Sequence, residues 1–121
     1  MDRRRVLFVD DDPSILRGFE RLFWKQQAKW ETAFARGPEA ALAHLAAGKF
    51  DVVVCDLHMP GMNGDELLRR IGLESPATRR ILLSGSIAMV DVTGFADCLL
   101  TKPCATAMLI DAIEGQTCDM R

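Results

Sequence analysis

At 121 residues the chain is the size of one ordinary domain, long enough to bury a core without disulfide or metal staples. Hydrophobic residues at 49% and charged ones at 26% exclude a disordered, collagenous or coiled-coil chain. Fifteen Lys and Arg against seventeen Asp and Glu leave a net charge of −2, with no basic stripe for a nucleic-acid backbone; Arg3 to Arg5 is only a short cluster.

In chain order, Val6-Leu7-Phe8-Val9 is a continuous apolar run of the buried parallel-strand kind. Asp12-Pro13 starts a helix, with Asp as N-cap and Pro at the first position, and Ile15, Leu16, Phe19, Leu22 and Phe23 form its apolar stripe. Trp30 to Ala35 alternates as an edge strand does. Gly37-Pro38 opens a second helix, Glu39 to Ala47, which Gly48 ends. Val52 to Cys55 is a second buried strand, and Pro60 to Gly64 is a turn-rich loop before a helix bearing Leu67, Leu68 and Ile71. Ile81 to Leu83 and Cys98 to Leu100 are two more strands. Met108, Leu109, Ala112 and Ile113 give the last helix its face. Between the last two strands, Ile87 to Gly94 has room for about two helical turns at most.

Five strands alternating with helices predict one α/β domain over residues 1–121: a doubly wound parallel sheet with helices on both faces. No apolar run approaches a membrane span, and four apolar residues after Arg5 are too few for a signal-peptide core, so the chain reads as cytoplasmic. Cys55, Cys98, Cys104 and Cys118 form no Cys-x-x-Cys pair and read as reduced thiols. Trp24 and Trp30 read as packing groups, His44 as a surface residue, and Arg69-Arg70 and Arg79-Arg80 as solvated faces.

In an open α/β sheet, ligands bind beyond the carboxyl ends of the strands. Asp10, Asp11 and Asp12 follow the first apolar run and Asp56 follows the Val52 to Cys55 run. Ser84 and Gly85 follow Leu83, and Thr101 and Lys102 follow Leu100. Acids, a hydroxyl and a lysine thus converge on one edge. Clustered carboxylates repel, and a hard cation such as Mg²⁺ relieves them while keeping open positions for phosphate oxygens. Lys102 supplies a compact positive charge, and Ser84 can donate to a phosphoryl oxygen. A carboxylate in such a cage can act as a nucleophile and form an acyl phosphate. Taken singly, Asp12 is an N-cap and each remaining residue an ordinary turn or surface group. The coincidence at four strand ends carries the joint reading.

Val6 to Asp11, the run Asp56-Leu57-His58-Met59-Pro60-Gly61-Met62-Asn63-Gly64, Ser84-Gly85 and Lys102-Pro103 resemble the receiver domain of two-component response regulators, over nearly the whole chain. The resemblance implies a five-stranded sheet of order 2-1-3-4-5 flanked by five helices. It implies that Asp56 is the phosphoacceptor, that Asp10, Asp11, Asp56 and the backbone carbonyl of His58 hold Mg²⁺, and that Ser84 and Lys102 meet the phosphoryl group. His58 follows Asp56 by two and so faces the site entrance, its side chain a gatekeeper or bystander and not a phosphoacceptor. The implied partners are a sensor histidine kinase or phosphotransfer protein and an output domain or downstream protein, with room for a homodimer and no direct nucleic-acid role. The chemistry is aspartyl phosphorylation and dephosphorylation, not enzymatic turnover of a substrate.

Three positions depart from that pattern. Leu99 stands where the family has an aromatic switch residue, Cys104 replaces the Phe of Lys-Pro-Phe, and the eighteen-residue interval from Ser84 to Lys102 is short. The shortening falls on the fourth helix of the family, which is therefore expected to be short or irregular. Leu82-Leu83-Ser84-Gly85 with Lys102-Pro103-Cys104 is similar to receivers attached to HD-type (HDOD or HD-GYP) output domains. Two other functions compete. A pseudo-receiver that only binds proteins would ordinarily have lost one of the acidic pair, Asp56, Ser84 or Lys102. A haloacid-dehalogenase-type phosphatase needs its nucleophile after the first strand with a second Asp two residues on, and Asp56-Leu57-His58 has neither feature.

Overall fold

The computed structural model describes residues 3–85 and 91–115. Its strands are β1 (Arg4–Asp10), β2 (Trp30–Arg36), β3 (Val52–Asp56), β4 (Arg79–Ser84) and β5 (Cys98–Thr101). Its helices are α1 (Pro13–Leu22), α2 (Pro38–Ala47), α3 (Gly64–Glu74) and α4 (Thr106–Ile113), with a 3₁₀ turn at Trp24–Gln26. All four strand pairings are parallel, and the order is β2-β1-β3-β4-β5. The doubly wound sheet predicted from the sequence is present, with four helices among the described residues. The predicted Ile87 to Gly94 segment lies partly outside them. From Asp91 onward the chain makes a turn at Thr93–Phe95 in place of a helix.

The alternation of side chains along β1 divides the core in two. Val6 and Phe8 face the half closed by α1 and α4, where they meet Leu16, Phe23, Leu109 and Ile113. Leu7 and Val9 face the half closed by α2 and α3, with Ala41, Leu67, Leu68 and Ile71. Phe8 centres an aromatic group, its ring 5.1 Å from Phe19, 5.4 Å from Phe23 and 5.3 Å from Phe34. Trp30 is buried against Phe23. Trp24, expected to pack, is instead 64% exposed, and Ile15 and Leu22 lie on the exposed side of α1 despite fitting its apolar stripe.

Asp12 caps α1, accepting from Ser14 N at 2.8 Å, with Pro13 at the first helical position as expected. Gly37 precedes α2 at φ +92°, a conformation that favours glycine, and turns the end of β2 directly into the helix. Gly64 starts α3 against the sheet: its N–H donates to Leu57 O at 2.7 Å, and a Cβ there would run into the carbonyl of Asp56.

Two further expectations fail. Arg79 and Arg80 are half-buried, not solvated. Arg79 Nε donates to Ala112 O at 2.6 Å near the end of α4, while Arg80 Nη1 donates to Phe95 O at 3.2 Å and Leu68 O at 3.5 Å. Each guanidinium crosses from a strand to the backbone of a covering layer. Cys98 is disulfide-bonded, so four reduced thiols is also a wrong expectation; Cys55 and Cys104 are free. His44 is half-buried, its ring edge-on to Phe50.

Candidate functional site

Parallel pairing brings the carboxyl ends of all the strands to one edge. Asp10 ends β1 opposite Arg36, Asp56 ends β3 opposite Leu83, and Ser84 ends β4 opposite Thr101. The register therefore places Asp10, Asp56 and Leu83 in one row, with Ser84 one residue beyond it and Lys102 just past the end of β5. Lys102 N donates to Ser84 O at 2.8 Å, which ties the lysine to the end of β4. Leu57 N donates to Leu83 O at 3.0 Å, which fixes the first step of the loop after Asp56.

The side chains meet across that row. Carboxylate oxygens of Asp10, Asp11 and Asp56 lie within 4.8 Å of one another, the grouping among the described residues that could hold a metal ion. Lys102 Nζ donates to Asp56 Oδ1 at 2.6 Å and to Asp10 Oδ2 at 3.3 Å. Asp10 Oδ1 accepts from Asp12 N at 3.0 Å. Asp10 is 2% exposed and Ser84 is buried, whereas Asp11 is half-buried and His58 is exposed.

Burial raises the pKa of Asp10 above the usual carboxylate value, against the lowering effect of the Asp12 N–H and of Lys102; the nearby Asp56 charge raises it further. Burial pulls Lys102 the other way, but the Asp56 hydrogen bond and the charges of Asp10 and Asp56 outweigh it, so its pKa is raised and it stays an ammonium. One ammonium faces three carboxylates. That excess of hard oxygen charge, open to solvent through Asp11, fits a Mg²⁺ ion, which takes carboxylate oxygens and retains waters.

Residues 6–114 match the family model described as "Response regulator receiver domain". The chain belongs to that family. The receiver is 36% identical over 104 residues to the two-component response regulator ARR2 of Arabidopsis thaliana, covering 82% of this chain and 15% of that protein. It is 30% identical over 115 residues to the transcriptional regulatory protein TrcR of Mycobacterium tuberculosis, covering 92% of this chain and 44% of that protein. It thus spans less than half of either relative.

Among solved structures, the signal receiver domain of an HD domain-containing protein from Pseudomonas fluorescens Pf-5 superposes with a TM-score of 0.85 at 30% identity, covering 95% of this chain and 94% of that one. TrrA from Thermotoga maritima, in complex with Mg²⁺ and BeF, gives 0.81 at 26% identity, covering 94% and 99%. Receivers of this family bind Mg²⁺ in an acidic pocket, and the corresponding cluster of aspartates is present here.

Of the residues named from the sequence, the structure brings Asp10, Asp11, Asp56 and Lys102 into direct proximity and sets Ser84 one residue beyond their row, its carbonyl held by Lys102 N. Leu99 is half-buried and packs with the α2–α3 half of the core. Sequence reasoning missed Arg36, whose Nε donates to Asp11 O at 3.4 Å, and the closeness of Gly64 to Asp56. A glycine opening a helix straight after a strand-end loop could have signalled the second. Nothing local marks the first, since the contact depends on pairing between β1 and β2.

Proposed function

We propose that the chain is a phosphorylatable receiver that takes a phosphoryl group onto Asp56 from a phosphohistidine of a sensor kinase or phosphotransfer protein. The observation that carries this reading is the Lys102 ammonium shared between Asp56 and Asp10 beside the exposed edge of the carboxylate trio. Asp56 is at once the hydrogen-bond partner of a cation and part of a cation-binding group. In the reaction a carboxylate oxygen of Asp56 forms the new bond to phosphorus as the phosphorus–nitrogen bond breaks, and the bonding pair stays with the imidazole. Asp10, Asp11, Asp56 and the backbone carbonyl of His58 would hold Mg²⁺, which when bound supplies positive charge against the phosphoryl oxygens. Lys102, held as an ammonium, exchanges its Asp56 contact for a phosphoryl oxygen, and Ser84 donates to another.

Phosphorylation and its reversal are, in this reading, the only chemistry of the domain, which extends over residues 1–121 and works in the cytoplasm. Its output is a linked domain or a separate protein. The likeness to the receiver of an HD domain-containing protein favours an HD-type output over direct contact with nucleic acid. A pure interaction module is disfavoured because Asp10, Asp11, Asp56, Ser84 and Lys102 are all in place.

The test is incubation with acetyl phosphate, with and without Mg²⁺, followed by intact mass. One phosphoryl addition that requires Mg²⁺ is expected. No addition under any condition would leave the interaction-module reading in its place, and release of phosphate from added monoesters would point to a phosphatase.

A further inference from the structure

Three successive aspartates are held in three different ways. The Asp10 carbonyl accepts from Gly37 N at 3.1 Å, and its carboxylate is fixed by Asp12 N and Lys102. The Asp12 carbonyl accepts from Ile15 N at 3.1 Å and Leu16 N at 3.3 Å, the first turn of α1. Asp11, between them, belongs to neither strand nor helix. Its carbonyl accepts from a side chain, Arg36 Nε at 3.4 Å. Arg36 is the last residue of β2, in register with Asp10, and it lines a shallow hollow beside Asp11 that Glu39 also borders.

We propose that Arg36 is a positioning residue for the cation site: by holding the Asp11 carbonyl it fixes the peptide that carries the Asp11 carboxylate, and so sets Asp11 against Asp10 and Asp56. The inference rests on the reading of those three residues as a Mg²⁺ site. A guanidinium here could act in two ways of opposite sign. Through its charge it would repel a dication and weaken binding, but Arg36 is exposed, and the high dielectric of the surrounding water weakens that repulsion. Through its hydrogen bond it strengthens binding by preorganising a ligand. Partners that orient metal ligands are ordinarily worth about 10–100-fold in affinity, and a long, exposed bond calls for less, about threefold to tenfold.

The sign decides the matter. Mg²⁺ is titrated into the full chain, wild type and Arg36→Ala, and followed by backbone amide shifts. A dissociation constant raised about threefold to tenfold is expected, at low and physiological salt alike, with the metal-free Asp11 and Asp12 amides already displaced. Arg36→Gln should show the same rise, and serves in its place if the alanine variant does not fold. Unchanged binding, or the tighter binding that loss of charge alone would give, would overturn the positioning role. Asp11→Ala is the control on the underlying reading. If it leaves Mg²⁺ binding intact, both the assigned ligand set and the role of Arg36 fall; if it removes binding while the Arg36 variants bind normally, only the latter does.

Discussion

Lys102 Nζ lies 2.6 Å from Asp56 Oδ1, joining the end of β5 to the end of β3 across the width of β4. The lysine side chain is mostly covered, so the charge of Asp56 is balanced by a fixed neighbour more than by water. Lys102→Ala removes the donor that would follow the developing phosphoryl charge. Uptake from acetyl phosphate should slow by about tenfold or more, since loss of one preorganised donor at developing charge commonly costs about 10²–10³. Mg²⁺ affinity should not fall, because the lysine opposes the cation. A Lys102→Ala protein phosphorylated at the wild-type rate would exclude this role.

Asp10 gives a prediction on stability. Its folded pKa is raised, so its neutral form stabilises the fold at low pH, and that contribution is lost as pH rises through the folded value. Above that folded value the metal-free protein carries an ionised, buried Asp10 beside Asp56. Asp10→Asn keeps an acceptor for Asp12 N and removes the charge. Thermal melts without Mg²⁺ should show Tm higher by a few degrees, at roughly 4 °C per kcal/mol gained for a domain of this size. Mg²⁺ should raise the Tm of wild type and have little effect on Asp10→Asn. A lower Tm for the variant in metal-free buffer would contradict this balance of charge.

Gly64 links the helix layer to the strand that ends at Asp56. A methyl at this position meets backbone, the Asp56 carbonyl, which cannot swing aside as a side chain can. Gly64→Ala should destabilise by about 1–3 kcal/mol, the usual range for overpacking, and should slow phosphoryl uptake by displacing Asp56. Gly18→Ala, where nothing lies within 4 Å, is the matched control and should be neutral or slightly stabilising. Urea denaturation midpoints of the two variants make the comparison.

Phe8 and Trp24 separate packing from exposure. Phe8→Ala opens the aromatic centre beneath α1 and should cost about 3–5 kcal/mol in urea denaturation. Trp24→Ala, at a site 64% exposed, should stay within about 0.5 kcal/mol.

The sheet and the site were legible in the sequence for the same reason. Val6 to Val9 and Val52 to Cys55 are buried on both faces, so they stand out as unbroken apolar runs, and the acids that follow them mark strand ends. What escaped notice depends on long-range pairing. Arg80 looks like any exposed base until β4 lies under the Val92–Phe95 turn and beside α3, where its guanidinium reaches Phe95 O. Arg36 meets Asp11 only because β2 pairs with β1 in one register. Ile15 and Leu22 fit a helical stripe but fall on its rim, and periodicity does not resolve the rim of a stripe from its centre.

Chemical trapping of the acyl phosphate tests the central claim most directly. After incubation with acetyl phosphate and Mg²⁺, borohydride reduces an aspartyl phosphate to homoserine, which peptide mass spectrometry locates. The expected result is homoserine at position 56 alone, absent without Mg²⁺ and absent in Asp56→Asn while that variant keeps its fold. Phosphate found on His58 or Ser84, or trapping that persists in Asp56→Asn, would contradict it.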